Sequence, residues 1–172
     1  MSIWRRTIRT SPRLSLRLDD GLAAVFAGEL LDPSPEIWIV SPWVSDVPVL
    51  DNSDQDFDVL LGDGFVGPVA FTAVLGRLAE LGSLLHLTVK PDDHNRDFIN
   101  RLSRHVPTTH LDIHHAADVH EKTLCGSNWV VSGSMNFTWR GFEVNEESVV
   151  YEIDPALAAQ SRLDFEHRWP TP

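Results

Sequence analysis

Apolar positions along this chain switch between a helical and an extended period. From Asp19 to Glu29, Leu22, Val25 and Phe26 recur at a helical interval with Leu30 just beyond. Asp19 and Asp20 open that segment, and Pro33 and Pro35 end it. Glu36-Ile37-Trp38-Ile39-Val40 is a short apolar run between prolines, the pattern of a buried strand. Residues 41–58 keep no period, are rich in acids and read as a loop. Helical spacing returns over 68–82 through Val69, Leu75, Leu78 and Leu81, with Gly82 as its stop. Leu84 to Val89 predicts the next strand. Asp92 and Asp93 then cap a helix to about His105 that carries Phe98, Ile99 and Leu102 on one face. Strands are expected over His110–His114, Trp129–Val131 and Ser148–Ile153, and a short helical turn over 137–141. Asp154 and Pro155 start a last helix to about Trp169. Strands alternating with helices predict an α/β fold.

The chemistry concentrates in residues 120–136, where His120 and Lys122 are followed by Gly133, Ser134 and Asn136. In an extended strand successive side chains alternate faces, so His120 and Lys122 project toward one site, and Ser134 and Asn136 repeat that spacing. An imidazole can attack phosphorus or carry a proton. An ammonium, a hydroxyl and an amide can hold phosphate oxygens. The chain has only two lysines, Lys90 and Lys122, so a lysine kept beside His120 argues for a compact cation there. Trp43 and Asp46 follow a buried strand, where α/β folds assemble sites, and are candidate substrate-binding residues together with Gly133. A packed tryptophan and a turn aspartate are the plainer reading of the first two.

These residues resemble the signature of the phospholipase D superfamily, H-x-K-(x)4-D-(x)6-G-S-x-N. Two departures stand out: Ser127 occupies the family's aspartate position, and the gap from there to Gly133 is one residue shorter. Glu147 lies where a family glutamate helps orient the histidine. Gly133–Thr138 and Ser41–Asp46 are similar to small single-motif members, some of which accompany bacterial anti-phage defence systems. The resemblance implies a mixed β-sheet flanked by helices on both faces, with one motif per chain. It implies catalytic roles for His120, Lys122, Ser134, Asn136 and Glu147, and no cofactor. It also implies two histidines per site, one attacking phosphorus and the other protonating the leaving oxygen. A chain with one motif then works as a homodimer with its site on the two-fold axis. The activity implied is that of a metal-independent nuclease on DNA or RNA, in defence with partner proteins of such a system. The alternatives are a non-catalytic DNA- or partner-binding subunit, and a phospholipid phosphodiesterase or transferase.

Composition narrows the classes. The length suits one domain, taken as 19–172 after a basic arm over 1–18. Residues 1–17 hold five arginines and no acid, whereas the rest holds nine basic and 25 acidic residues, so a +5 arm precedes a −16 body. Such a body repels nucleic-acid phosphates at long range and argues against indiscriminate DNA binding. No apolar stretch approaches a membrane span or a secretory h-region, and the single cysteine, Cys125, suits a reducing cytoplasm. Cys125 reads as a small packed residue. His110, His114, His115 and His120 lie within eleven residues, but their spacing fits no familiar metal site and no metal is expected. His86 reads as a core or surface histidine, and His114 or His115 as lining the mouth of the pocket.

Overall fold

The computed structural model describes residues 4–9, 19–62, 64–138 and 147–170, with the side chains of 19 and 20 left aside. Nine strands and five α-helices are found among them. The strands are β1 (Trp4–Arg9), β2 (Glu36–Val40), β3 (Pro48–Asn52), β4 (Gly67–Ala70), β5 (Leu84–Val89), β6 (Leu111–His115), β7 (Thr123–Cys125), β8 (Trp129–Gly133) and β9 (Ser148–Ile153). The helices are α1 (Asp19–Leu31), α2 (Asp58–Leu61), α3 (Phe71–Glu80), α4 (Arg96–His105) and α5 (Pro155–Arg168). Seven strands form one mixed sheet in the order β1-β9-β8-β7-β2-β5-β6, and β3 and β4 form a separate antiparallel ribbon. β2, β5 and β6 run parallel, whereas β7, β8, β9 and β1 are antiparallel to their neighbours.

Strand alternation explains the layers. Ile37 and Ile39 of β2 enter a large core with Leu22 and Phe26 of α1 and Leu75 of α3. Trp38 and Val40 point the other way, into a smaller core with Cys125, Val130 and Phe165 of α5. A strand apolar on both faces is the pattern of a central strand, and β2 is central. The sheet edges are polar. β1 presents Arg5, Arg6 and Arg9 to solvent, with Arg5 3.5 Å from Glu152 of β9. Charge on an edge strand discourages pairing with another chain.

Three expectations need correction. Residues 48–52 are a strand and not loop, because Leu50 pairs with Val69 across the ribbon and both are buried. Residues 68–70 are correspondingly extended, so the helix there begins at Phe71. The strand expected from His110 begins at Leu111, after a 3-10 turn over Thr108–His110. The turn expected over 137–141 lies outside the described residues from 139 onward.

Candidate active site

Register brings the chemistry to one end of the large sheet. Val40 at the end of β2 lies opposite Thr123 at the start of β7, and Thr123 lies opposite Ser132 near the end of β8. Gly133 then lies opposite Val149, so Glu147 and Ser148 enter β9 at the same end. Val89 and His115 close β5 and β6 there as well. His120 and Lys122 precede β7, and Ser134 and Asn136 follow β8, so all of them gather at this end.

Residues 120–122 lead into β7, which itself begins at Thr123. Glu121 turns to the α5 face, where Arg168 Nη1 donates to its Oε2 at 2.6 Å and Thr123 Oγ1 donates to its Oε1 at 3.1 Å. Glu121 and Thr123 thus meet at the entry to β7, between His120 and the strand. Lys122 Nζ donates to the His120 carbonyl at 2.5 Å, and the Gly133 N–H donates to the Lys122 carbonyl at 3.3 Å. His120 is exposed and Lys122 half-buried. Ser134 Oγ donates to Glu147 Oε2 at 2.5 Å and accepts from the Ser148 N–H at 3.0 Å. Asn136 keeps a buried Oδ1 that has no hydrogen-bond partner among the described residues. Gly133 is required by close approach: a Cβ there would lie 2.1 Å from the Ser148 carbonyl oxygen.

Ser127 lies at the other end of the sheet. Its N–H donates to Ser34 Oγ at 2.8 Å, and Ser34 precedes β2. The Gly126 N–H donates to the Trp129 carbonyl at 3.1 Å, so Ser127 and Asn128 form a two-residue turn. This tight turn accommodates the shortened gap while keeping Lys122 level with Gly133. Ser127 stands seven positions after His120, on the order of 20 Å of extended chain.

The loop after β2 joins the same end. Val44 bridges Phe137, and the Ser45 N–H donates to the Phe137 carbonyl at 2.7 Å. Trp43 is half-buried, with Lys90 Nζ 5.0 Å from its ring centroid and its Nε1 donating to Asp92 Oδ2 at 3.2 Å. Hydrogen bonds from the His94 N–H and the Trp43 indole hold the Asp92 carboxyl below the usual carboxylate range. Asp46 engages the scaffold with both oxygens: Oδ1 accepts from the Thr72 N–H at 2.9 Å at the start of α3, and Oδ2 lies 3.5 Å from Arg101 Nη1. Those are the bonds of a capping residue.

Sequence reasoning missed Asn95, Lys90 and the pair formed by Ser45 Oγ and His94 Nε2 at 3.1 Å. Asn95 is buried and ties the loop to the strand ends. Its Oδ1 accepts from the Val44 N–H at 2.9 Å, and its Nδ2 donates to the Pro42 and Lys90 carbonyls at 3.0 and 2.9 Å. The available signal was position, since Lys90 directly follows a buried strand as Trp43 nearly does. Cys125 is fully buried, and burial pushes its thiol up to about 12. His115 closes β6 at the site end, whereas His114 Nε2 lies 2.8 Å from Asp112 Oδ2.

Residues 86–169, which include every motif residue from His120 to Glu147, match the family described as cardiolipin synthase, PLD-like domain. Over that stretch, just under half of its length, the chain is similar to phospholipase D-like domains. The fold agrees with phospholipase D-like structures over nearly its whole length. Nuc from Salmonella typhimurium, a phospholipase D family member, superposes with a TM-score of 0.63 at 14% identity over 98% of this chain and 95% of that one. NucT from Helicobacter pylori gives 0.64 at 10% identity, covering 96% of this chain and 95% of that one. Polyphosphate kinase from Porphyromonas gingivalis gives 0.64 at 13% identity, and there 98% of this chain covers 26% of the other. Comparison with curated proteins finds no match.

Proposed function

We propose that this phospholipase D-like chain is a metal-independent phosphodiesterase that cleaves nucleic acid at a site shared by two copies. The observation that supports this most is the gathering of His120, Lys122, the Ser134–Glu147 pair and Asn136 at one sheet end from three separate segments. In the first step an imidazole nitrogen of His120 attacks phosphorus, forming a P–N bond as the ester P–O bond breaks. The leaving oxygen takes a proton from His120 of the second copy. Water then gives that proton back to the second imidazole as its oxygen displaces the P–N bond, which returns both histidines to their starting forms. Lys122 and Asn136 hold the phosphoryl oxygens, and Ser134, positioned by Glu147, donates beside them.

Trp43 and Lys90 favour nucleic acid over lipid, because a ring with an ammonium above it can stack a base and meet the neighbouring phosphate. No helix among the described residues is long and apolar enough to cross a membrane. An anti-phage context rests on the likeness of Gly133–Thr138 and Ser41–Asp46 to small single-motif members. A second reading, a DNA- or partner-binding subunit without catalysis, is favoured by the net charge of −11.

Cleavage of DNA, RNA and bis(p-nitrophenyl) phosphate in EDTA separates the readings. The expected outcome is an EDTA-resistant activity that His120→Ala abolishes and Ser127→Ala changes by less than tenfold. Comparable losses in both variants would mislocate the site. A dimer that binds DNA equally well with and without His120, and cleaves nothing, would establish the second reading.

A further inference from the structure

A second set of chemically able side chains lies on the other half of the sheet, one pleat or more in from the strand ends. Leu85, Leu87 and Val89 of β5 enter the larger core, which turns His86 and Thr88 to the opposite, α5 face. Leu111 and Ile113 of β6 pack against that same core, which turns Asp112 and His114 to the α5 face. Parallel register sets His86 opposite Asp112, and Thr88 opposite His114. His114 Nε2 lies 2.8 Å from Asp112 Oδ2, and His86 Nδ1 lies 3.4 Å from the same oxygen. One donor atom from each of the three residues falls within 4.8 Å of the other two. Trp38 stacks on His86 with ring centroids 4.1 Å apart and planes at 11°, which holds the imidazole in place. Asp112 and His114 keep 17% of their side chains exposed, so an ion can reach them from solvent.

Two imidazole nitrogens and a carboxylate oxygen are the donors of a three-ligand zinc site with a fourth position open. Hydrogen bonding alone leaves this face poorly balanced. Asp112 Oδ2 serves both histidines, while His86 Nε2 and Thr88 Oγ1 are buried without a hydrogen-bond partner among the described residues. Glu36, on the same face of β2, adds a second negative charge that acts on His86. We propose that His86, Asp112 and His114 bind one zinc-class divalent ion, which ties the edge strand β6 to β5. The donor set suits zinc and its substitutes cobalt and nickel better than magnesium or calcium, which prefer oxygen. The site shares no residue with the proposed His120 chemistry, and its role is to hold the sheet edge.

The test is titration of the metal-stripped full chain with Zn2+ by calorimetry, and with Co2+ by visible absorption. One equivalent is expected to bind, with a Co2+ spectrum of four- or five-coordinate nitrogen–oxygen ligation. Asp112→Asn and His114→Ala should each weaken binding at least tenfold, and His120→Ala should leave it unchanged. The spectrum of the unaltered chain reports on the donors even if a variant folds poorly. Absence of saturable one-to-one binding, or binding that survives both β6 variants, overturns the proposal. Because the readout is binding and not turnover, either outcome leaves the phosphodiesterase reading to its own test.

Discussion

Gly133 shows how closely one residue can be bound to its neighbours here. A methyl group at this position meets backbone atoms of Ser148 and Val149, which cannot rotate away as a side chain would. Gly133→Ala therefore forces β8 and β9 apart beside Ser134, at about 1–3 kcal/mol in overpacking. Urea denaturation should show that loss, and phosphodiester cleavage should fall with it because Ser134 and Glu147 shift. Cys125 makes the opposite point. It lies within the motif span, yet it is buried against α5 with its thiol pushed up to about 12, so almost no thiolate exists at neutral pH. A disulfide reagent should label it at once in denaturant and not in the folded protein over the same time. Rapid labelling of the folded chain would contradict the packing. Both residues were legible from the sequence, one by the motif and the other by its apolar neighbour Leu124. Asn95 was not, because an amide that bonds Pro42, Val44 and Lys90 reads in one dimension as an ordinary helix-start residue.

At the scale of elements, what was legible is what carries its own period. β2, β5 and α4 stand close to where their apolar spacing puts them, and Asp154 caps α5 through the Ala156 and Leu157 N–H groups as its type predicts. The β3–β4 ribbon was hidden because its strands are short, begin near Pro48 and Pro68, and are held by pairing across fourteen intervening residues. The start of α3 was hidden for a related reason. Its cap comes from Asp46, 26 residues upstream, through the Thr72 N–H. Asp46 can thus be assigned by measurement. As a cap, Asp46→Ala lowers stability by about 0.5–2 kcal/mol. Any change in turnover should then be restored by conditions that restore the fold. As a substrate contact it would instead raise KM with the denaturation midpoint unchanged. The hydrogen bond from Thr72 and the ion pair with Arg101 at its carboxylate favour the first result. Asn95→Ala should act differently from either. Loss of its three hydrogen bonds frees the 42–44 loop, so a stability loss of about 1–3 kcal/mol should come with weaker nucleic-acid binding if Trp43 serves the proposed site.

For the molecule as a whole, the deciding question is how one motif per chain supplies a reaction that needs an acid and a nucleophile. The described end of the sheet offers His94 and His115 as well as His120, and of these only His120 lies beside Lys122 in the segment that leads into β7. In the proposed reading, a two-fold axis beside His120 would supply the second imidazole without any new residue and would double Lys122 and Asn136 around the same phosphate. It would also give the exposed His120 a neighbour from the second copy. The arrangement has a quantitative signature. If each site needs both chains, mixing wild type with an equal amount of His120→Ala under subunit exchange should cut activity per wild-type chain to about half, because half of the wild-type chains then sit in mixed dimers. If each chain works alone, the mixture should retain the wild-type rate per wild-type chain. Dimer formation by light scattering with no loss on mixing would mean that association serves some other end. A monomer with full activity would move the proton-carrying role to His94 or His115, both at the same end of the sheet.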